Sequence, residues 1–376
     1  MDLKRHFAGA ARAVKHGLAV LVAGSGGLHL LRSGQRVRGP RVHVFGYHRV
    51  VPDAARYAGR TIGPLCVSTA TFAAHLDHLM RRYHVWSFDD ALDLLTGQRK
   101  APDRDVAVLT FDDGYADVLE HAAPLLTARR LPATVYITTG PIVGRSPLPH
   151  DRIYALVLRA RAARVRLLGS PVPDRLTWPL ARADFALQDG DAMGAADALL
   201  GALPMTDLAL CADALAARVG EPGPDELAQL LDWDGVVRLH EMGIDIGAHG
   251  ASHTHLPLED DERLIEELAA PRADIARRLG APPTTLSYPA GRYDQRVVEA
   301  ARAAGYRAAV TTEDRRNRVG ADPYRVGRKV MCEDHGLGLG GRAVGALTAA
   351  QLDGLFSTLG LARAVPGDRG LDTPWR

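Results

Sequence analysis

Two adjacent carboxylates, Asp112 and Asp113, stand at the end of an apolar, β-prone stretch over residues 106–111. The stretch predicts a buried strand. Two ionised carboxylates repel each other, so the pair is stable beside a buried strand only if one is protonated or a cation lies nearby. A bound metal ion is the simpler solution. Both acids can face one site only where the chain turns, and Gly114 allows that turn.

Two histidines, His249 and His253, follow a second predicted strand at residues 244–247. A spacing of four residues places two imidazoles on one face of a helical turn, where both can bind the same ion. One aspartate and two histidines leave positions open for water and substrate, as in catalytic zinc sites and in iron oxygenases. Asp112, next to the expected ligand Asp113, favours hydrolysis because a hydrolase needs a general base.

The elements that must position these residues alternate between strand and helix along most of the chain. This alternation indicates parallel crossover units, and seven or eight of them predict a closed or nearly closed β/α barrel. The carboxyl ends of barrel strands meet on one face, where remote ligands can converge. The predicted strands cover residues 42–47, 84–88, 106–111, 133–137, 244–247, 285–288 and 308–311, with a further strand within 325–331.

The alternation stops over residues 147–234, which are rich in Ala, Leu, Arg and Asp. Helices are predicted at 151–168, 180–202 and 207–219. We interpret this region as a helical insertion between barrel parts 41–146 and 235–335; it either shapes a substrate groove or is a packed appendage. A flexible C-terminal tail is predicted for residues 336–376.

The motifs in this order resemble the polysaccharide deacetylase family, the NodB-homology or family 4 carbohydrate esterases. The resemblance spans about residues 41–332 without the insertion. It implies a distorted (β/α) barrel with seven or eight units that hydrolyses N-acetyl groups on a glycan with a divalent metal, usually zinc. The segments that carry it are Thr110-Phe111-Asp112-Asp113-Gly114, His249-x-x-x-His253, Gly46-Tyr47-His48-Arg49-Val50, Ser287-Tyr288-Pro289-Ala290-Gly291-Arg292-Tyr293 and Asp322-Pro323-Tyr324-Arg325.

Carried onto this chain, the resemblance implies a role for each motif residue. Asp112 is the general base, and Asp113, His249 and His253 hold the metal. A backbone N–H near Tyr115 binds the oxyanion, and Tyr288 and Pro289 belong to the substrate-binding motif.

Three departures from the family pattern affect these expectations. Gly250 replaces the usual Ser or Thr, at the cost of a hydrogen bond that stabilises the loop. The Arg that often precedes the third motif is absent, and Arg292 is the candidate to orient Asp112 in its place. The late Leu-x-His of the general acid is also absent. His48, at the end of the first strand, is the candidate acid, unless it only caps a loop.

Composition limits the other classes of function. The net charge of +2 does not indicate a nucleic-acid partner. Cys66, Cys211 and Cys332 form no metal or disulfide pattern and fit a reducing compartment. Residues 1–40 are predicted to form a basic and apolar N-terminal helical segment, whose apolar run is shorter than the ~20 residues of a transmembrane helix. Its residues 1–32 either contact a membrane peripherally or pack on the protein, so the expected location is the cytoplasm, with or without membrane association.

Two alternatives remain open at this stage. One is a related hydrolase that acts on a lipid-linked or small glycoside, or on O-acetyl groups. The other is a catalytically impaired member of the fold that only binds glycans.

Overall fold

The structure is a computed structural model that describes residues 40–57, 62–169, 172–335 and 345–355, together with Gly17. The predicted N-terminal segment and its expected membrane contact lie outside these residues, apart from Gly17 and residue 40. Among the described residues, no helix combines the length and hydropathy needed to cross a membrane.

Eight strands form one parallel sheet that curves into a barrel. Its order is β10-β1-β5-β6-β7-β8-β9, with β4 paired on β5, while β2 and β3 form a separate parallel pair. The strands are β1 Val42–Tyr47, β2 Arg49–Val51, β3 Cys66–Ser68, β4 His84–Val85, β5 Val106–Phe111, β6 Thr134–Ile137, β7 Asp245–Ala248, β8 Thr285–Ser287, β9 Ala308–Val310 and β10 Arg328–Val330.

The two ends of this sheet approach each other, so the barrel is nearly closed. Val310 at the end of β9 bridges to Val326, two residues before β10, and the Thr311 N–H donates to the Val326 carbonyl at 2.9 Å. The predicted β/α barrel is therefore confirmed. Every residue of β5 is buried, because strands flank it on both sides and helices cover the barrel.

Twelve α-helices lie within the described residues. The predicted helix 180–202 is two helices, because the Asp191 carboxylate accepts the Gly194 N–H at 2.9 Å and starts a new helix there. A π-helical turn at Val118–Ala122 leads directly into the α-helix Ala123–Arg129. The helices are α1 Thr69–Arg82, α2 Phe88–Leu95, α3 Ala123–Arg129, α4 Thr139–Gly144, α5 Pro149–Ala163, α6 Thr177–Gln188, α7 Ala192–Leu200, α8 Met205–Val219, α9 Trp233–Glu241, α10 Asp261–Leu279, α11 Gln295–Ala303 and α12 Gly345–Leu352.

The helices α5 to α8 of the insertion pack around a hydrophobic core of their own, distinct from the barrel core. The insertion also returns to the turn that follows β5. There the Ala116 N–H donates to the Gln229 carbonyl at 2.9 Å, and the Leu231 N–H donates to the Gly114 carbonyl at 2.8 Å. The insertion is thus hydrogen-bonded to the turn that carries the two aspartates.

Residues 345–355 lie within the segment predicted to be a flexible C-terminal tail. They form α12 and the turn after it, with Leu347, Leu352 and Leu355 buried. The Asp353 carboxylate accepts a hydrogen bond from the Tyr83 hydroxyl at 3.1 Å. The helix was not predicted because the glycine-rich sequence before it indicates a flexible segment.

Candidate metal centre and active site

The predicted metal ligands meet at the carboxyl ends of β5 and β7. Asp113 Oδ1 lies 3.1 Å from His253 Nε2 and 3.4 Å from His249 Nε2. One ligand atom from each residue falls within 4.8 Å of the other two. Asp113 and His249 are fully buried, and the His253 side chain is about 11% exposed. Of the three side chains, that of His253 is therefore the most accessible to solvent.

The backbone at these ligands is held in the left-handed region. The φ angle is +75° at Asp113, +82° at Gly114 and +65° at His253. A side-chain-bearing residue adopts this conformation at a cost of about 1–3 kcal/mol, and such residues cluster at functional sites. Successive side chains of a strand point to opposite faces. The positive φ at Asp113 ends this pattern and turns its side chain toward the same site as Asp112.

The donor set fits a divalent metal ion. Among the described residues, neither oxygen of the buried Asp113 carboxylate accepts a hydrogen bond. A buried, unsatisfied carboxylate is costly, and a cation among one carboxylate and two imidazoles would satisfy it. The Nδ1–H of His249 donates to the Ser287 carbonyl at 2.7 Å, which leaves its Nε2 lone pair facing Asp113.

The neighbouring Asp112 is bound by a different partner, the fully buried Arg328 of β10. Arg328 Nη1 donates to Asp112 Oδ1 at 2.7 Å, and Nη2 donates to Oδ2 at 2.5 Å. The Ser287 hydroxyl donates to Oδ2 at 3.2 Å and accepts from Arg328 Nη2 at 3.1 Å. This bidentate pair fixes the plane of the carboxylate.

The Arg328 side chain reaches Asp112 by crossing β1 at Gly46. A Cβ atom at Gly46 would lie 3.0 Å from Arg328 Cδ, so a larger residue would obstruct this path. Gly46 of the first motif therefore leaves room for the arginine that binds Asp112, although Gly46 and Asp112 belong to different strand segments.

Arg292 was expected to orient Asp112, but in the structure Arg328 does so. Both oxygens of Asp112 are taken by Arg328, whereas Arg292 follows the turn Pro289–Gly291 and lies near His255. Burial, together with the positive charge of Arg292, lowers the pKa of His255 to about 3.

The two aspartates have different electrostatic surroundings. Burial alone would raise the pKa of Asp112, but the Arg328 guanidinium lowers it below its ordinary value. Burial opposes ionisation of Asp113 as well, yet the neighbouring imidazoles of His249 and His253 hold its pKa well below the usual range. Both carboxylates are therefore ionised at neutral pH, one balanced by arginine and the other facing the imidazoles.

The loop between the two histidines is held by Glu267 of α10, which is fully buried. Its carboxylate accepts the N–H groups of Ala251 and Ser252, each at 2.9 Å, and the Ser252 hydroxyl at 2.6 Å. Gly250 has φ +75°, and a Cβ there would lie 3.3 Å from Glu267 Oε2. Glu267 thus supplies hydrogen bonds that stabilise the loop, a role that the family pattern gives to the Ser or Thr replaced here by Gly250.

His48, the candidate acid, lies at the end of β1 close to the site. Burial lowers its pKa, and the charges of Asp113, Asp112 and Arg328 all act on it. Among the described residues, its Nδ1 is buried without a hydrogen-bond partner. This Nδ1 is therefore available to another group.

The three residues assigned to substrate binding lie in different surroundings. The pairing of the Tyr115 turn with the insertion uses the Ala116 N–H and the Gly114 carbonyl, and leaves the Tyr115 N–H outside it. The Tyr288 ring is fully buried, stacks on Tyr293 and donates its hydroxyl to the Tyr324 carbonyl at 3.0 Å. Its side chain is thus committed to packing and does not support a role in substrate binding.

Pro289 is also buried, and it starts a tight turn in which Ala290 and Gly291 have positive φ. Its Cγ lies 3.4 Å from where a Cβ on Gly250 would be. Pro289 therefore packs against the backbone of the histidine loop.

Four residues near the ligands were missed by the sequence interpretation. An arginine within a predicted buried strand must be paired, and this signal could have identified Arg328. No spacing points to the other three, because they come from helices whose approach to the barrel is a tertiary property. These three are Glu267, His150 and Asp151, the last two in the first turn of α5.

Comparisons with known proteins bear on the family and the fold of this chain. The family model described as "Polysaccharide deacetylase" matches residues 99–166 and 196–309. No curated protein matches the sequence. The solved structure of Streptococcus pyogenes deacetylase PplD in complex with acetate is 16% identical with a TM-score of 0.51, and the match covers 78% of this chain and 93% of that chain.

The structure of IcaB from Ammonifex degensii is 19% identical with a TM-score of 0.51, and the match covers 84% of this chain and 98% of that chain. At these identities the structural likeness shows the fold. The family model covers the aspartate pair and the histidine pair, and its unmatched gap falls within the insertion. By this match, residues 99–166 and 196–309 of the chain belong to the polysaccharide deacetylase family, whose members are hydrolases.

Proposed function

We propose that this protein is a metal-dependent hydrolase that removes N-acetyl groups from a glycan. The observation that carries the proposal is the adjacency of two carboxylates in opposite settings. Asp113 faces His249 and His253 and accepts no hydrogen bond from any residue that the structure describes, whereas Asp112 is ionised and held by Arg328.

Asp113, His249 and His253 would hold the metal ion, and their mixed oxygen and nitrogen donors suit zinc. When bound, a divalent ion supplies Lewis-acid chemistry, which activates water near neutral pH and polarises an amide carbonyl. The remaining steps belong to the side chains around it.

Asp112 accepts the proton of the attacking water. An ionised carboxylate has about four lone-pair sites. The bonds from Arg328 and Ser287 occupy three of them, so one remains for the proton. Arg328 also fixes the orientation of the carboxylate, so little motion is needed when the proton is transferred.

The Tyr115 N–H and His48 complete the proposed mechanism. The Tyr115 N–H, which the pairing with the insertion leaves outside, donates to the oxyanion that forms at the acetyl carbon. His48 protonates the leaving amine, and this role is supported by its buried Nδ1, which has no hydrogen-bond partner within the part of the chain that the structure describes.

An N-acetylated polysaccharide, a lipid-linked or small glycoside and an O-acetyl ester all require the same acyl chemistry. We favour an N-acetylated glycan because the family model is that of polysaccharide deacetylases. The alternative of an impaired glycan-binding protein is disfavoured, because Arg328 keeps the base ionised and oriented.

The test measures acetate release by the full-length protein from a panel of N-acetylated oligosaccharides, with O-acetylated oligosaccharides as a second arm. The protein is assayed as purified, after chelation, and after return of Zn²⁺, Co²⁺ or Ni²⁺. We expect acetate from at least one N-acetylated substrate, loss on chelation and recovery with metal. Release only from O-acetylated substrates, or release that survives complete metal removal, would contradict the proposal.

A further inference from the structure

The first helix of the insertion starts at the metal centre. His150 and Asp151, the second and third residues of α5, are both buried. The Tyr115 hydroxyl lies between them, donating to Asp151 Oδ2 at 2.9 Å and lying 2.9 Å from His150 Nε2. On its other side, His150 Nδ1 lies 3.3 Å from the Nδ1 of His253. These contacts form a continuous chain from a carboxylate to a metal-ligand histidine.

The positions of the protons along this chain follow by elimination. The Tyr115 hydroxyl has one proton and donates it to Asp151, so it accepts a hydrogen bond from His150 Nε2–H. With its proton on Nε2, the His150 imidazole accepts a hydrogen bond at Nδ1. The proton between the two Nδ1 atoms therefore belongs to His253.

This assignment leaves the Nε2 of His253 without a proton. That nitrogen lies 3.1 Å from Asp113 Oδ1, within the metal-ligand group. A histidine can bind a metal ion only through a nitrogen that carries a lone pair. The relay thus selects the tautomer and ring orientation that a metal ligand needs.

We propose that Asp151, Tyr115 and His150 are positioning residues, which hold His253 in its metal-binding tautomer through a hydrogen-bond relay supplied by the insertion. The inference rests on the proposed function only in taking Asp113, His249 and His253 as the metal ligands. It assigns the insertion a direct part in the metal centre, because two of the three relay residues belong to α5.

His249 has a shorter support of the same kind. Its Nδ1–H donates to the backbone carbonyl of Ser287 at 2.7 Å, so β8 of the barrel fixes its tautomer. His253 lies on a loop with positive φ, where the partner of its Nδ1 is His150. The two ligands therefore depend on different parts of the molecule.

The test is the zinc affinity of Tyr115→Phe, measured in the full-length protein by competition with a chromophoric chelator. This change removes only the hydroxyl that joins His150 to Asp151. Loss of such outer partners typically lowers metal affinity by about 10- to 100-fold, and we expect a decrease in that range. The ligand-field spectrum of the Co²⁺-loaded variant should change as well, because the imidazole of His253 is no longer held.

The matched control is Tyr83→Phe, which removes another buried tyrosine hydroxyl that donates to an aspartate, Asp353, outside the metal centre. Its zinc affinity and Co²⁺ spectrum should equal those of the parent. An equal loss of affinity in the control would overturn the relay, because the effect would then be general to buried Tyr–Asp hydrogen bonds.

A second pair of variants keeps the test decisive if Tyr115→Phe folds poorly. His150→Leu removes the acceptor for His253, whereas His150→Asn retains an amide oxygen near the place of Nδ1. We expect His150→Asn to recover part of the zinc affinity that His150→Leu loses. Equal affinities of the parent and both His150 variants, or parent-like affinity in a folded Tyr115→Phe, would refute the relay.

These outcomes are independent of acetate release. If the parent binds zinc and Tyr115→Phe weakens that binding, the relay stands even if no glycan yields acetate. If acetate is released but zinc affinity is unchanged in the relay variants, the proposed function stands and the relay fails.

Discussion

The barrel and the helical insertion contribute to the site in different ways. The barrel supplies Asp112, Asp113, His249 and Arg328 from strands or from the residues that directly follow strands, and all four side chains are buried. The insertion has its own core and reaches the site through one helix turn and one short backbone pairing. The comparison shows that residues at the ends of barrel strands provide the reactive groups, while the position of one ligand, His253, depends on the separately packed insertion.

The largest expected effect in the barrel follows from removing the partner of the base. Arg328→Met leaves the buried Asp112 carboxylate without its cation, and breaking a buried pair in this way costs about 3–5 kcal/mol. We expect the free energy of unfolding in urea to fall by that amount, and acetate release to be lost.

The double variant Arg328→Met with Asp112→Asn serves as the control for this prediction. It removes the uncompensated charge, so it should recover part of the unfolding free energy but no activity. If Arg328→Met alone were as stable as the parent, the buried ion pair would not have the role assigned to it.

A core substitution in each region would sharpen the comparison. Leu156 is fully buried in the insertion core and Leu76 in the barrel core. Each change to Ala should cost about 2–5 kcal/mol of stability. Only Leu156→Ala should also weaken zinc binding under native conditions, because Leu156 lies on α5 with His150.

Urea unfolding followed by circular dichroism, with zinc titration in the native baseline, measures both quantities. Equal zinc affinity in Leu156→Ala and Leu76→Ala would break the proposed link between the packing of the insertion and the metal centre.

A smaller effect is expected at the loop between the two histidines. Glu267→Gln keeps the shape of the side chain but removes the charge that accepts two N–H groups and the Ser252 hydroxyl. We expect zinc affinity to fall about 10-fold, as for loss of an outer partner of a metal ligand.

The neighbouring Glu266→Gln is the matched control, since Glu266 is exposed and pairs only with Arg263 among the contacts seen for it. Isothermal titration with Zn²⁺ compares the two. A control that loses as much affinity as Glu267→Gln would show that charge on α10, rather than the hydrogen bonds to the loop, is responsible.

Much of the barrel half could be predicted from sequence, because its signals are local. An apolar strand followed by Asp112 and Asp113, and a strand followed by histidines at a spacing of four, specify both the residue types and the face they share. The same logic predicted the barrel, since strand–helix alternation constrains the connections to parallel crossovers.

The supporting residues were harder to predict because they depend on tertiary approach. The motif Ser287–Tyr293 contains Arg292 and so favours it as the residue that orients Asp112, whereas Arg328 reaches Asp112 from β10 by passing Gly46. His150 and Asp151 lie within a segment whose composition indicates only helices. Nothing in their spacing shows that the first turn of α5 lies next to the Tyr115 side chain.

The central claim is that two adjacent aspartates divide the work, Asp113 binding the metal and Asp112 accepting the proton. The most direct test compares Asp112→Asn with Asp113→Asn, two isosteric changes at neighbouring buried positions, for zinc content per chain and for acetate release. Asp112→Asn should retain zinc and lose activity, and Asp113→Asn should lose both. An Asp112→Asn protein that releases acetate at the parent rate, or an Asp113→Asn protein that binds zinc as tightly as the parent, would contradict the account.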